Sequence, residues 1–273
     1  MNREDGKKTM KYTYEQLARM IDHSLLHPTM TDQELDDGCR LAAKYGVASV
    51  CIKPYYVKRA AELLKGTGVN VGAVVGFPHG SSTTEVKRHE TEVACQDGAT
   101  EIDMVINIGK ALSGDWEYVE QEISIICLQA HRAGAKVKVI FENDYLVKGG
   151  AGLSSDDFKR KLCEISERAG ADWVKTSTGY GFVNGPDGKY SYQGATESDL
   201  RLMRAACTAK VQVKAAGGVR DLDGLVRVRE LGVSRCGATA TAGMLEEYKK
   251  RAEAEKAGII HNAPRPALGT GDY

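Results

Sequence analysis

The 273-residue chain balances 37 Lys and Arg against 37 Asp and Glu, and 42% of it is hydrophobic. A formal net charge of zero offers no pull toward nucleic acid or an anionic membrane surface, and no apolar stretch is long enough to span a bilayer. The length suits one large α/β barrel domain with a full core.

The charged opening, Met1 to Lys11, has no apolar run and so no signal-peptide pattern. Seven cysteines are scattered without a C-x-x-C pair. They read as reduced thiols in a cytoplasmic protein, each a small buried hydrophobe.

One phrase then recurs along the chain: a helical stretch, a glycine, a small residue and a short apolar strand. It appears at Tyr45–Ile52, Asp97–Ile106, Ala133–Phe141, Ala169–Lys175 and Leu231–Cys236. Glycine suits the left-handed position that ends a helix, so the phrase predicts βα units and a parallel sheet. Eight strands are expected, near Met20–Leu26, Val47–Lys53, Asn70–Phe77, Glu101–Asn107, Lys136–Glu142, Asp172–Thr178, Val211–Ala216 and Val233–Gly237. Thr31–Glu34 and Ser82–Glu85 have the spacing of capping boxes at helix starts. Eight strands, each with a helix behind it, predict a single-domain (β/α)8 TIM barrel over residues 1–256 with a short N-terminal extension. A doubly wound open sheet is the alternative, but no G-x-G-x-x-G follows the first strand. Two segments fall outside the pattern. Gly179–Gly194 is a turn-rich insertion around Asn184-Gly-Pro-Asp-Gly188, and residues 257–273, rich in glycine and proline, read as a flexible tail.

Side chains alternate along a strand. Placing Ile102, Met104 and Ile106 against the helices leaves Asp103 and Asn107 facing the barrel axis. The same argument turns Lys136, Lys138 and Glu142, then Lys175, Gln212, Lys214, Cys51 and Lys53 inward. Asp103, Lys138, Lys175 and Lys214 therefore converge from four consecutive strands, a costly arrangement for stability alone. A structural ion-pair network is one reading. The other is chemistry: like charge from Lys214 lowers the Lys175 pKa and frees an amine to attack a carbonyl. The strand ends, where barrel enzymes work, also carry the glycine loops Lys214–Arg220 and Cys236–Gly243, which are suited to phosphate. A metal-dependent reading would need His23, His27 or His79, which lack ligand spacing.

These residues fall in motifs that resemble the deoxyribose-phosphate aldolases: Ile21–Leu26, Ser49–Ile52, Gly76–Gly80, Glu101–Gly109, Lys136–Glu142, Val174–Gly179 and Lys214–Arg220. The resemblance covers about Tyr14 to Met244. It implies a class I aldolase that reversibly cleaves 2-deoxy-D-ribose 5-phosphate to acetaldehyde and D-glyceraldehyde 3-phosphate, with no metal or other cofactor. It assigns the Schiff base to Lys175, proton relay to Lys214 and Asp103, and phosphate contacts to Gly217, Gly218 and Gly237. Gly179, Thr239, Lys138, Cys51 and Asp22 are further candidate substrate contacts, and Tyr273 is a candidate for moving the enamine proton. The partners implied are small sugar phosphates and aldehydes, with a homodimer or other homo-oligomer left open. Tyr180, Lys53, Asn143, the Gly237-Ala-Thr-Ala240 loop and the insertion depart from the family pattern. They leave open a related aldolase acting on another or an unphosphorylated carbonyl substrate.

Overall fold

A computed structural model describes residues 10–185 and 187–258. The strands are β1 (Ile21–Leu25), β2 (Ser49–Ile52), β3 (Asn70–Val75), β4 (Glu101–Val105), β5 (Lys136–Ile140) and β6 (Trp173–Lys175), then β7 (Val183–Asn184), β8 (Tyr190–Ser191), β9 (Gln212–Ala216) and β10 (Arg235–Ala238). Eight of them close a parallel barrel in the order β1-β2-β3-β4-β5-β6-β9-β10, and β10 pairs back to β1. The expected barrel is present. The turn-rich insertion after β6 carries an antiparallel hairpin in which β7 pairs with β8.

Helices cover the outside: α1 (Tyr14–Ala18), α2 (Asp32–Tyr45), α3 (Val57–Leu63), α4 (Thr84–Gln96), α5 (Ile108–Leu112), α6 (Trp116–Arg132), α7 (Ser155–Arg168), α8 (Glu197–Ala206), α9 (Leu222–Glu230) and α10 (Thr241–Lys256). None is long and apolar enough to cross a membrane. The capping box at Thr31 and Glu34 forms as expected. At α4 the cap is Thr83 rather than Ser82, and its hydroxyl accepts from the Val86 N–H.

The helix-facing side of the sheet is the core. Val50, Ile52, Ala73, Val75, Ile102, Met104, Val137, Val139, Val174, Val213 and Ala215 are all fully buried. Each large aliphatic chain stabilises by about 1.5–3 kcal/mol, which helps offset a polar barrel interior.

The alternation rule fixes a residue's face but not its depth, and five inward expectations need correction. Lys136 is exposed at the lower mouth, with its ammonium 5.4 Å from the Trp173 ring centroid. Lys53 lies past the end of β2 and donates to the His27 carbonyl at 2.8 Å. Asn107 has left β4 and caps α5, accepting from the Lys110 N–H. Gln212 is half-buried and turns back to the Ala209 carbonyl. Glu142 lies beyond β5, where a backbone φ of 58° breaks the alternation.

Candidate active site

The barrel interior is built in two tiers. Register places Asp103 beside Lys138, Lys175 beside Lys214, and Lys214 beside Arg235. In the lower tier Lys138 Nζ lies 2.8 Å from Asp103 Oδ1, 2.5 Å from Glu101 Oε2 and 3.4 Å from Asp22 Oδ2. Arg235 reaches Asp22 at 2.5 Å and Glu101 at 2.7 Å. Its guanidinium stacks 5.2 Å from the Trp173 ring centroid. In the upper tier a single oxygen, Asp103 Oδ2, accepts from Lys175 Nζ at 2.8 Å and from Lys214 Nζ at 2.6 Å. The Cys51 thiol points at the same oxygen from 3.8 Å. Lys214 has a second carboxylate, Asp22, at 2.6 Å; among the described residues Lys175 pairs with Asp103 alone.

That asymmetry sorts the two lysines. Burial lowers the Lys175 pKa, the Lys214 charge lowers it further, and Asp103 pulls the other way without restoring it. Burial also opposes charge on Lys214, but Asp103 and Asp22 together outweigh it and raise its pKa. For Asp103, burial is outweighed by Lys138, Lys175 and Lys214, which hold it well below the usual carboxylate range. The expected like-charge repulsion thus contributes at Lys175, second to desolvation. Charge counting agrees. Lys138, Lys175, Lys214 and Arg235 face Asp22, Glu101 and Asp103, four potential cations against three carboxylates. The interior is neutral only when one lysine is a free amine, and Lys175 is the one whose proton is held least tightly. A neutral amine, a carboxylate and an ammonium in contact can form a carbinolamine and then move its protons.

Above this tier lies a small apolar wall. Leu26, Cys51 and Val74 cluster there, with Phe77 and Tyr180 packed on them. The Phe77 and Tyr180 rings meet edge to face at 5.5 Å.

The loops at this end are tied to one acidic turn. Glu142 accepts from the Thr178 N–H and hydroxyl, and the Thr178 hydroxyl in turn accepts from the Tyr180 N–H at 2.9 Å. Two residues on, Asp144 accepts from the Gln193 N–H at 2.6 Å and the Gly194 N–H at 3.0 Å. Both ends of the loop carrying the β7–β8 hairpin are therefore held by Glu142-Asn-Asp144. Burial pushes the Glu142 carboxyl up to about 7, and the Asp144 charge acts the same way, against hydrogen bonds from Thr178 and attraction to Lys175.

The phosphate candidates sit beside that loop. Gly217 has φ 86° and Gly218 φ 82°, left-handed values that disfavour other residues. The Gly217 carbonyl accepts from the Ala195 N–H at 3.2 Å. Gly237 lies close above Lys214: a methyl group added there would be 3.7 Å from Lys214 Cε. Thr239 is exposed on the loop leading into α10. Unlike α2, α4, α6, α7, α8 and α9, α10 has no side-chain cap at its N-terminus. Its first N–H groups are available to an anion. The start of α9, after the Gly217 loop, is already capped by Asp221.

Of the remaining candidates, Gly179 has φ 93° beyond β6, and Tyr273 lies outside the described residues. His23 is buried against the Thr241 hydroxyl at 2.9 Å, with burial lowering its pKa to about 4. Glu101 and Arg235 share the inward parity of Asp103 and Lys214, so the alternation pattern carries a signal for both. Glu142 and Asp144 as loop anchors had no local signal.

Comparison with known proteins gives a consistent result. Residues 17–246 match the model of the DeoC/LacD family aldolases. A deoxyribose-phosphate aldolase of Rhodopirellula baltica is 53% identical over 240 residues, covering 88% of this chain and 92% of its own. One from Caldanaerobacter subterraneus subsp. tengcongensis is 45% identical over 236 residues, covering 86% and 94%. Among solved structures, the tetrameric deoxyribose phosphate aldolase of Aeropyrum pernix superposes with a TM-score of 0.75 at 31% identity, covering 87% of this chain and 92% of its own.

Proposed function

The chain belongs to the DeoC/LacD family of aldolases, and from that premise we propose how its own residues act. The activity is the reversible cleavage of 2-deoxy-D-ribose 5-phosphate to acetaldehyde and D-glyceraldehyde 3-phosphate. Lys175 is the nucleophile. Its neutral amine adds to the C1 aldehyde of the open-chain sugar, and loss of water gives an iminium. Deprotonation of the C3 hydroxyl then breaks the C2–C3 bond. The bonding pair moves toward the iminium, D-glyceraldehyde 3-phosphate leaves, and an enamine remains on Lys175. Protonation of the enamine carbon and hydrolysis release acetaldehyde and the free amine. The iminium is the electron sink throughout.

Asp103 and Lys214 relay protons through water between the nitrogen and the reacting carbon and oxygen atoms. The wall of Leu26, Cys51 and Val74 is placed to take the two-carbon fragment, since Cys51 already touches Asp103. Gly217, Gly218, Gly237 and the N-terminus of α10 hold the phosphate, with Gly179 and Thr239 at its edge. Lys138 and Asp22 set the position and charge of Asp103 and Lys214 from below. Tyr273 is assigned to the enamine proton, the protein to the cytoplasm, and its assembly to a homo-oligomer.

The observation that carries this reading is the single Asp103 oxygen shared by a lysine with a lowered pKa and one with a raised pKa. Borohydride reduction in the presence of acetaldehyde should leave one adduct, on Lys175, located by peptide mass. An adduct on Lys214, or none from an enzyme that turns over, rejects the assignment. Activity that survives EDTA is expected; loss restored by added metal would favour a metal-dependent aldolase.

A further inference from the structure

Two of the seven cysteines lie outside the active site and against each other. Cys163, on α7, is fully buried, and Cys207, at the end of α8, is 8% exposed; both are free thiols. A hydrogen bond joins their sulfurs. Separate contacts hold the two helices together at this point. Glu167, one turn beyond Cys163 on the same face of α7, accepts from the Thr208 N–H at 2.9 Å and from the Thr208 hydroxyl. Arg204 closes the end of α8 by donating to the carbonyls of Cys207 at 3.0 Å, Thr208 at 2.6 Å and Val211 at 2.8 Å. The backbone beside Cys207 is therefore clamped to α7 within one turn of Cys163.

The surroundings give the two thiols different characters. The shared hydrogen bond lowers the pKa of Cys207, and Arg204 acts the same way, against burial. The same hydrogen bond, with burial, holds Cys163 well above the ordinary thiol range. Cys207 is thus the more acidic of the pair, and the connection that follows it, Thr208 to Lys210, is exposed. A thiolate beside an arginine near the surface, with a second thiol behind it, is the arrangement of a redox cysteine and its resolving partner. Burial instead pushes Cys39 up to about 11 and Cys127 and Cys236 up to about 12, as for thiols that only fill space.

We propose that Cys163 and Cys207 form a modification site, a reversible disulfide made by hydroperoxides that staples α7 to α8. The Cys207 thiolate attacks the O–O bond of the peroxide, giving a sulfenic acid and releasing hydroxide or alkoxide. The Cys163 sulfur then attacks the sulfenic sulfur, and the S–S bond forms as hydroxide leaves. The protons given up by the two thiols neutralise the two leaving anions, so two thiols and hydrogen peroxide become one disulfide and two waters. The staple closes the chain that runs from α7 through β6, the hairpin and α8, and so spans Lys175. It acts on the helical layer, while the β6–β9 pairing that sets Lys175 beside Lys214 stays as it is. Its effect is therefore on stability, through the entropy removed from the unfolded chain.

The full chain tests this by treatment with hydrogen peroxide, digestion without reduction and peptide mass. A pair of peptides joined through Cys163 and Cys207 is expected, with loss of two of the seven thiols and recovery of both in dithiothreitol. The oxidised protein should melt about 5 °C or more above the reduced protein. Cys163→Ala and Cys207→Ala should each abolish the joined peptide and the rise in Tm; if either variant folds poorly, the peptide from the parent still decides. No joined peptide, or Cys207 carried to sulfinic acid without linkage, overturns the site. A joined peptide with Tm unchanged or lower overturns the staple. Turnover that falls in the oxidised parent but not in oxidised Cys163→Ala would overturn the assignment of its effect to stability.

Discussion

Two buried lysines in this molecule have lowered pKa values for the same first reason, and only one is suited to chemistry. Lys87, on α4, is fully buried against α6. It donates to Glu122 Oε1 at 2.7 Å and to the Val105 carbonyl at 2.8 Å. Glu122 completes the closed set by accepting from the Asn107 N–H at 2.9 Å. Burial lowers Lys87 and raises Glu122. Burial lowers Lys175 too. The difference is in the counter-ion. Among the described residues Glu122 pairs with Lys87 alone, whereas Asp103 serves Lys138 and Lys214 as well as Lys175. Removing Lys87 strands a carboxylate; removing Lys175 leaves Asp103 with two ammonium partners. A depressed lysine pKa thus says little by itself. A depressed pKa beside a carboxylate that can spare the lysine is the informative combination.

Substitution can break that comparison. Lys175→Met should cost turnover on the order of 10^4-fold or more, with unfolding close to the parent's because Asp103 stays paired. Lys87→Met should do the reverse. An unpaired buried Glu122 destabilises by about 3–5 kcal/mol, while the folded fraction keeps its kcat. Thermal unfolding and active-site titration on both variants decide it, and exchanged outcomes would show that the two lysines have been sorted wrongly.

Lys214→Met sharpens the same point with a smaller effect. Turnover should fall on the order of 10^2-fold, as for loss of a proton-relay group. Without a neighbouring ammonium, and with Asp103 less contested, Lys175 holds its proton more tightly, so the pH at which residual activity rises should move up. An unmoved pH profile would remove Lys214 from control of Lys175.

The smallest effect concerns a carboxyl rather than an amine. The folded-state pKa of Glu142, about 7, stands above the ordinary glutamate value. The native protein therefore keeps a proton that the unfolded chain has released. That contribution to stability is complete in acid and is lost as pH rises through about 7. Glu142→Gln removes the titration. Relative to the parent, its denaturant-measured stability should improve by ~2–3 kcal/mol between about pH 5 and pH 8. A constant difference would mean that Glu142 titrates like an exposed carboxyl.

Period-two alternation made much of the site legible. Asp103, Lys138, Lys175 and Lys214 sit on named strands, and the helix-facing aliphatic residues leave them one direction to point. The same rule misplaced Lys53 and Asn107, because alternation continues past the ends of a strand on paper while the barrel does not, and Lys136, because the first residue of β5 lies at the exposed mouth. Glu142 escaped for a related reason: its left-handed backbone ends the strand, and its partner, Thr178, lies on another loop. Asp144 meets Gln193 and Gly194 across nearly fifty residues. Such pairings are set by closure of the barrel, and no local pattern announces them. The ion pair between Lys87 and Glu122 was equally silent, one lysine and one glutamate among many on two amphipathic helices.

The acidic turn at Glu142–Asp144 has one more consequence. Because one short turn grips both Thr178 and Gln193–Gly194, the chain between them leaves and rejoins the barrel at nearly the same place. A segment tied at both ends is interchangeable: each doubling of its length costs only about 0.6 kcal/mol of closure entropy. The hairpin is in effect a socketed part. Exchanging it for a shorter or longer one at those two joints leaves Asp103, Lys175 and Lys214 where they are, so acceptor range can diverge while the carbon–carbon bond chemistry stays fixed.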